Sequence, residues 1–250
     1  MSVHFDGLTL DWHGYATARI EPADGPIVYT DPGRYGVLTG EWNESWPHPS
    51  PGDISPQDGD IVVVTHDHHY DDDGVRRVAD DDATVLVYEA VDPAGVKANS
   101  GRDVVDPDDL PYDVRRVSYG DTINVDGATI DVIPGYNLPR GRNLTSDGAP
   151  LHPEGFGCGF NIHVGDHSCF WTGDSDVLEE HHDLDVSVFL PSISRSFTLN
   201  RHEAAELATT LEPELVLPIH YNTFDALSAD SRSFAADVAA SGIPVVLDES

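Results

Sequence analysis

The sequence predicts an α/β fold in which two β-sheets carry helices on their outer sides, as one domain over residues 1–250. Three features lead there. Apolar residues come in short dense runs such as Ile61-Val62-Val63-Val64, of strand rather than helix length. Turn-rich segments separate these runs, the fullest at 47–59. Few stretches carry helical signals, and neither an internal repeat nor a linker divides the chain.

In chain order, strands are expected at 8–12, 16–20, 27–30 and 61–65, followed by a short helix at 73–79 and a strand at 84–88. Strand-like runs follow at 129–133, 160–164, 168–172, 186–190 and 216–219. The clearest helix is 201–211, where Asn200 can cap and Glu203, three residues on, can reach back to it. An amphipathic stretch at 231–241 precedes a last strand at 244–247. Residues 137–150 are polar and rich in Gly and Pro, and read as a loop over the site.

Charge narrows the function classes. There are 45 acidic residues against 13 basic ones, a formal net charge of −32, and Lys97 is the only lysine. Such a surface repels itself in dilute buffer, whereas at molar salt the Debye length falls to about 3 Å and screens the repulsion. The composition reads as adaptation to a salty cytoplasm, and the acids are spread along the chain rather than blocked as for a basic partner. A nucleic-acid partner is disfavoured, because phosphates would meet a surface of their own sign. Cys158 and Cys169 are too few for a disulfide framework. No charged leader with an apolar core and no membrane-length apolar run is present, so a soluble cytoplasmic protein is expected, with a homo-oligomer left open.

The strongest local signal is Thr65-His66-Asp67-His68-His69-Tyr70-Asp71-Asp72-Asp73, directly after the apolar run 61–64. A buried strand ending in alternating histidines and carboxylates offers several ligands from one tight turn, a set suited to zinc, manganese or iron. An exposed acidic turn that happens to hold three histidines is the plainer reading; the histidine spacing argues for metal. The same pattern recurs where 168–172 runs into Gly173-Asp174-Ser175-Asp176 and where 215–219 runs into His220-Tyr221-Asn222. Singly these read as a turn and a surface histidine. Three strands ending in this way point to a site beyond their carboxyl ends.

Together these pieces resemble the metallo-β-lactamase superfamily, and within it the branch containing L-ascorbate-6-phosphate lactonase. Further matches are Gly14-Tyr15-Ala16-Thr17, Tyr29-Thr30-Asp31-Pro32, Pro134-Gly135-Tyr136-Asn137, His152-Pro153-Glu154-Gly155 and Pro218-Ile219-His220-Tyr221. The charge pattern resembles that of haloarchaeal proteins. The resemblance implies a four-layer αββα sandwich holding one or two divalent ions, zinc first, with manganese or iron as alternatives. His66 and His68 would bind the first metal, Asp174 would bridge, and His220 would bind the second. The signature's Asp-His pair is displaced here: either Asp71 takes the Asp position with Asp72 in place of His, or Tyr70 and Asp71 fill the two positions. Asp71 is the preferred ligand, since a tyrosine with a pKa of about 10 coordinates poorly at neutral pH. The first site's third histidine is replaced by His152, or by Asn137 standing near its place. Tyr15 occupies an early histidine position, and Asp31 would orient a ligand histidine.

The chemistry implied is metal-assisted hydrolysis of a small lactone or phosphoester, with Asp71 or Asp174 orienting the attacking water. Asn137, Tyr221 and His152 would face the substrate, and Arg140 or Arg142 would receive an anionic group or simply lie on the loop surface. His181 and His182 read as solvated, and His48 lies outside the matched positions. The alternative is a non-catalytic metal-binding or ligand-sensing protein on the same fold. A nuclease is disfavoured by the charge.

Overall fold

The computed structural model describes residues 2–41 and 52–249. His48 and the first part of the turn-rich segment, 47–51, lie outside the described residues.

The first sheet contains β1 (Val3–Phe5), β2 (Leu8–Gly14), β3 (Thr17–Pro22), β4 (Val28–Thr30), β5 (Gly59–Val64), β6 (Ala79–Tyr88) and β7 (Asp113–Val117), in that order across the sheet. Pairing is antiparallel from β1 to β4 and parallel from β4 to β7. The second sheet runs β13 (Leu215–Val216), β12 (Val188–Leu190), β11 (His167–Trp171), β10 (Gly157–Val164), β9 (Ala128–Gly135) and β8 (Thr122–Val125). It is antiparallel from β8 to β11 and parallel at β12 and β13.

Parallel strands are buried on both faces, which is why β5 is a continuous apolar run with Ile61 to Val64 fully enclosed. Helix α1 (Asp72–Val78) lies against β5 and β6. Helix α3 (Arg201–Leu211) packs on α4 (Ser231–Ala240) and on the short turn at Glu179–Asp183, which in turn contacts β9. The sequence signal at the α3 start is realised: Asn200 Oδ1 accepts from the His202 and Glu203 amides, and Glu203 accepts from the Asn200 amide.

Some elements differ from expectation. Helix α2 (Pro93–Ser100) was absent from the sequence reading because its apolar face is a single buried residue, Val96. Its signal lay in Asp92-Pro93, a capping carboxylate that accepts from the Ala94 and Gly95 amides, followed by proline in the first turn. Strands β7 and β8 carry mostly polar residues at exposed or half-buried positions, so no apolar run announced them. The expected strand at 244–247 reduces to one bridge, Val216 to Val245. His181, expected to be solvated, is fully buried and its Nε2 lies 2.9 Å from the Pro134 carbonyl oxygen.

Candidate metal centre

The carboxyl ends of β4, β5 and β11 converge on a buried polar cluster. β4 delivers Asp31, whose carboxylate is completely enclosed. Its Oδ1 accepts from the Thr65 amide at 2.7 Å, and its Oδ2 accepts from Thr65 Oγ1 at 2.8 Å and Trp171 Nε1 at 2.8 Å. The Nδ1 of His69 lies 2.9 Å from the same Oδ2. An ionised carboxylate has only acceptors, so His69 carries its proton on Nδ1 and presents the Nε2 lone pair to the cluster. Thr65 Oγ1, whose hydrogen goes to Asp31, stands 2.9 Å from His66 Nδ1 and fixes His66 in the same tautomer.

The turn after β5 is tight. The amides of His69 and Tyr70 both donate to the His66 carbonyl oxygen. That turn aims the rings of His66, His68 and His69 into one space. Small residues allow the approach: a Cβ on Gly157 would stand 2.9 Å from His66 Cβ, and Gly173, at φ +58°, backs directly onto the Cys158 carbonyl.

The second sheet's side supplies the rest. Asp174 follows β11, His220 lies beyond β13 in a left-handed conformation (φ 58°), and His152 comes from the segment before β10. Asp174 Oδ1 lies 3.5 Å from the Nε2 atoms of both His69 and His220. Its Oδ2 lies 3.6 Å from His66 Nε2 and 3.7 Å from His152 Nε2. His68 Nδ1 and His152 Nε2 approach to 2.9 Å, and His69 Nε2 and His220 Nε2 to 3.0 Å. Two metal-type groups result, His66 with His68 and His152, and His66 with His69 and Asp174.

Burial dominates the electrostatics. It lowers the imidazole of His68 to about 2, that of His152 to about 3 and that of His220 to about 4. These rings are therefore neutral at physiological pH, the form that coordinates metal. Burial works against the Asp174 carboxylate, but His220, His69 and His66 outweigh it and hold it well below the usual range. The donor set fits a divalent cation. Among the described residues, His66 Nε2 and Asp174 Oδ1 are buried with no hydrogen-bond partner, and a cation between the facing ring nitrogens would satisfy both.

Of the residues singled out in the sequence, the structure brings His66, His68, His152, Asp174 and His220 together. Asp71 does not join them. Its Oδ2 accepts from the Arg34 amide at 2.8 Å, and Arg102 Nη1 is 3.9 Å from its Oδ1. Asp72 opens α1, and Tyr70 points away to donate to the Val105 carbonyl oxygen at 2.7 Å. His69 stands where Asp71 was expected, because the turn closes one residue after His68 rather than three. The signal available was three histidines in four residues, of which His69 and His66 are buried and His68 is not.

Asn137 is buried and does not line the cleft described below. Its Oδ1 accepts from the His152 amide at 3.0 Å and stands 3.1 Å from His152 Nδ1, while its Nδ2 donates to Phe197 O at 2.9 Å. It positions His152 and leaves the Nε2 lone pair facing the cluster. Tyr221 is fully buried and stacked on Trp12 with ring centroids 4.7 Å apart, outside the cleft described below. Arg142 braces the loop: it donates to the backbone oxygens of Ser194, Arg195 and Thr198 and pairs with Glu203. Arg140 is exposed and does not line that cleft.

A cleft of about 240 Å³ opens onto the cluster. Asp174, His68 and His220 form its floor, Tyr35, Phe197, Phe224 and Leu227 an apolar wall, and Tyr15, Arg34, Asn99 and Ser100 its remaining rim.

Comparison with known proteins is consistent along the chain. A family model described as a beta-lactamase superfamily domain matches residues 9–220. A UPF0173 metal-dependent hydrolase of Geobacillus thermodenitrificans is 27% identical over 241 residues, 92% of each chain. Its counterpart from Methanopyrus kandleri is 28% identical over 249 residues, 95% of this chain and 94% of that one. Among solved structures, the metallo hydrolase Igni18 of Ignicoccus hospitalis superposes with a TM-score of 0.63 at 20% identity, covering 97% of this chain and 95% of that one.

Proposed function

Since the chain belongs to the beta-lactamase superfamily, we propose that it works as a metal-dependent hydrolase whose metal ligands are His66, His68 and His152 on one side of Asp174, and His69 and His220 on the other. One observation carries the assignment: four imidazole Nε2 atoms stand 3.5–3.7 Å from the two oxygens of a single buried carboxylate. When bound, a divalent ion would supply Lewis acidity, acidifying a water and polarising the scissile carbonyl or phosphoryl oxygen.

The chain's own residues do the remainder. Thr65, Asp31 and Asn137 fix the protons of His66, His69 and His152 on Nδ1, so that each Nε2 is ready to coordinate. Asp174, ionised and shared, is placed to accept a proton from the attacking water. The apolar wall of the cleft excludes bulk water from one flank of the reacting group. The substrate is a small molecule, a lactone or a phosphoester. Zinc is the first expectation, with manganese or iron accommodated by the same donors. The acidic surface suits a salt-rich cytoplasm, and residues 1–250 act as one domain.

Metal content by mass spectrometry tests this, on protein purified in molar salt without chelator or affinity-tag metal. Two equivalents, lost together in the Asp174→Ala variant, are expected. No bound metal would overturn the reading.

A further inference from the structure

Among the described residues Arg34 is the only arginine or lysine lining the cleft, in a chain with 13 basic and 45 acidic residues. It is held there under strain. Four consecutive residues have left-handed backbone: Gly33 (φ 102°), Arg34 (64°), Tyr35 (50°) and Gly36 (79°). For the two residues with side chains this backbone is unfavourable. Strained backbone persists where its surroundings over-determine it, and clusters where ligands are held.

The surroundings are specific. The Arg34 amide donates to Asp71 Oδ2, its Nη1 donates to the His68 carbonyl oxygen, and its guanidinium carbon sits 4.7 Å over the Tyr35 ring. Among the described residues no carboxylate pairs with the Arg34 guanidinium, although other arginines in this chain find one. Asp71 accepts from the Arg34 backbone amide and faces Arg102 as well. Arg102 braces the same wall: it donates to Tyr70 O at 2.7 Å and to the hydroxyl of Ser100, another lining residue. Burial, and then the charge of Arg34, lower the Arg102 guanidinium from its usual value.

We propose that Arg34, stacked on Tyr35 at the rim of the cleft, is the subsite for an oxyanion carried by the substrate, at the end of an apolar body resting on Phe197, Phe224 and Leu227. This deepens the hydrolase reading of the same site and rests on it. The substrate class is a small organic acid, a carboxylate or a phosphate, whose scissile bond lies at the metal centre and whose anionic end lies at Arg34. A guanidinium offers a fork of donors to either group. In a molecule of net charge −32, an anion meets little else that attracts it.

The test titrates benzoate and phenylphosphonate calorimetrically into metal-loaded protein at one fixed salt concentration, with metal content measured on each sample. Wild type binds at least one probe, and the preferred probe separates carboxylate from phosphate. R34Q weakens that binding roughly ten- to a hundredfold, and R34K recovers part of it. In parallel, hydrolysis of neutral p-nitrophenyl butyrate is compared with that of anionic p-nitrophenyl hemiglutarate. The ratio of kcat/KM, anionic over neutral, falls about tenfold or more in R34Q, a change that mere bracing of His68 would not produce. Equal affinities in wild type and R34Q, or no binding of either probe by wild type, overturn the proposal. Hydrolysis with Arg34-independent binding defeats the subsite alone. Arg34-dependent binding without turnover of any carboxylic ester, lactone or phosphoester defeats the hydrolase reading and leaves the subsite standing.

Discussion

The Nε2 atoms of His69 and His220 stand 3.0 Å apart, and each is 3.5 Å from Asp174 Oδ1. Asp31 already holds the Nδ1 proton of His69, so His69 Nε2 meets His220 Nε2 as a lone pair. His69→Ala is therefore expected to remove about one equivalent of metal, while Asp71→Ala retains the full complement. Mass spectrometry of the two purified variants decides it, and metal loss in Asp71→Ala alone would reverse the assignment.

Asn137 holds His152 by its amide and ring, so in the proposed centre it acts through that ligand. Asn137→Ala should weaken metal binding by roughly ten- to a hundredfold, as loss of a group orienting a ligand histidine does elsewhere. Competition against a chromophoric chelator measures this directly. An unchanged metal affinity with a raised KM would place Asn137 against the substrate instead.

Asp31 satisfies four donors on three residues, from the turn after β5 and from β11. Replacing it by alanine leaves them buried and unpaired, each costing on the order of 1–3 kcal/mol. A loss of at least about 3 kcal/mol in urea unfolding is expected, together with loss of metal. A variant as stable as wild type would show that water replaces the carboxylate.

His181 is buried against Phe170 and the Pro134 carbonyl, and burial lowers its pKa from the ordinary 6.5 to about 4. Between those values the unfolded chain binds the proton and the folded one does not, so this group's contribution to stability falls as pH drops from about 7 to about 4. At pH 5 the penalty is about 2 kcal/mol. His181→Gln should thus lose more stability relative to wild type at pH 7 than at pH 5, by about that amount. Urea midpoints at the two pH values provide the comparison, and parallel curves would contradict it.

With a formal net charge of −32, the fold repels itself wherever counter-ions are scarce. Raising KCl from about 0.1 to about 2 M should increase Tm, most of the gain arriving as the Debye length shrinks from about 10 to about 2–3 Å. A Tm indifferent to salt would remove the argument for a salt-rich interior.

Much of this geometry is written in the chain where strand ends carry it. Apolar runs that stop at Asp31, His66 and Asp174 announce both the strands and the convergence of their ends. His69 was harder to place. Spacing along a chain does not say which ring a tight turn sends inward, and the turn here closes through two amides on one carbonyl. Asn137 and Tyr221 were legible as polar and aromatic residues near the site, but residue type alone does not tell a side chain facing the cleft from one supporting it. α2 and β7 escaped notice because their stability comes from caps and edge pairing rather than from an apolar period.

The proposed ligands are split between the two halves of the sandwich: His66, His68 and His69 extend from the end of β5, and His152, Asp174 and His220 from the side of the second sheet. An ion seated among them would act as a rivet, so that its affinity and the cohesion of the halves become one thermodynamic quantity. Distant wear would then register at the centre. A cavity cut at Phe160 or Val63, neither of which offers a ligand atom, would loosen the grip on the ion, and chelation would soften apolar layers that touch no metal.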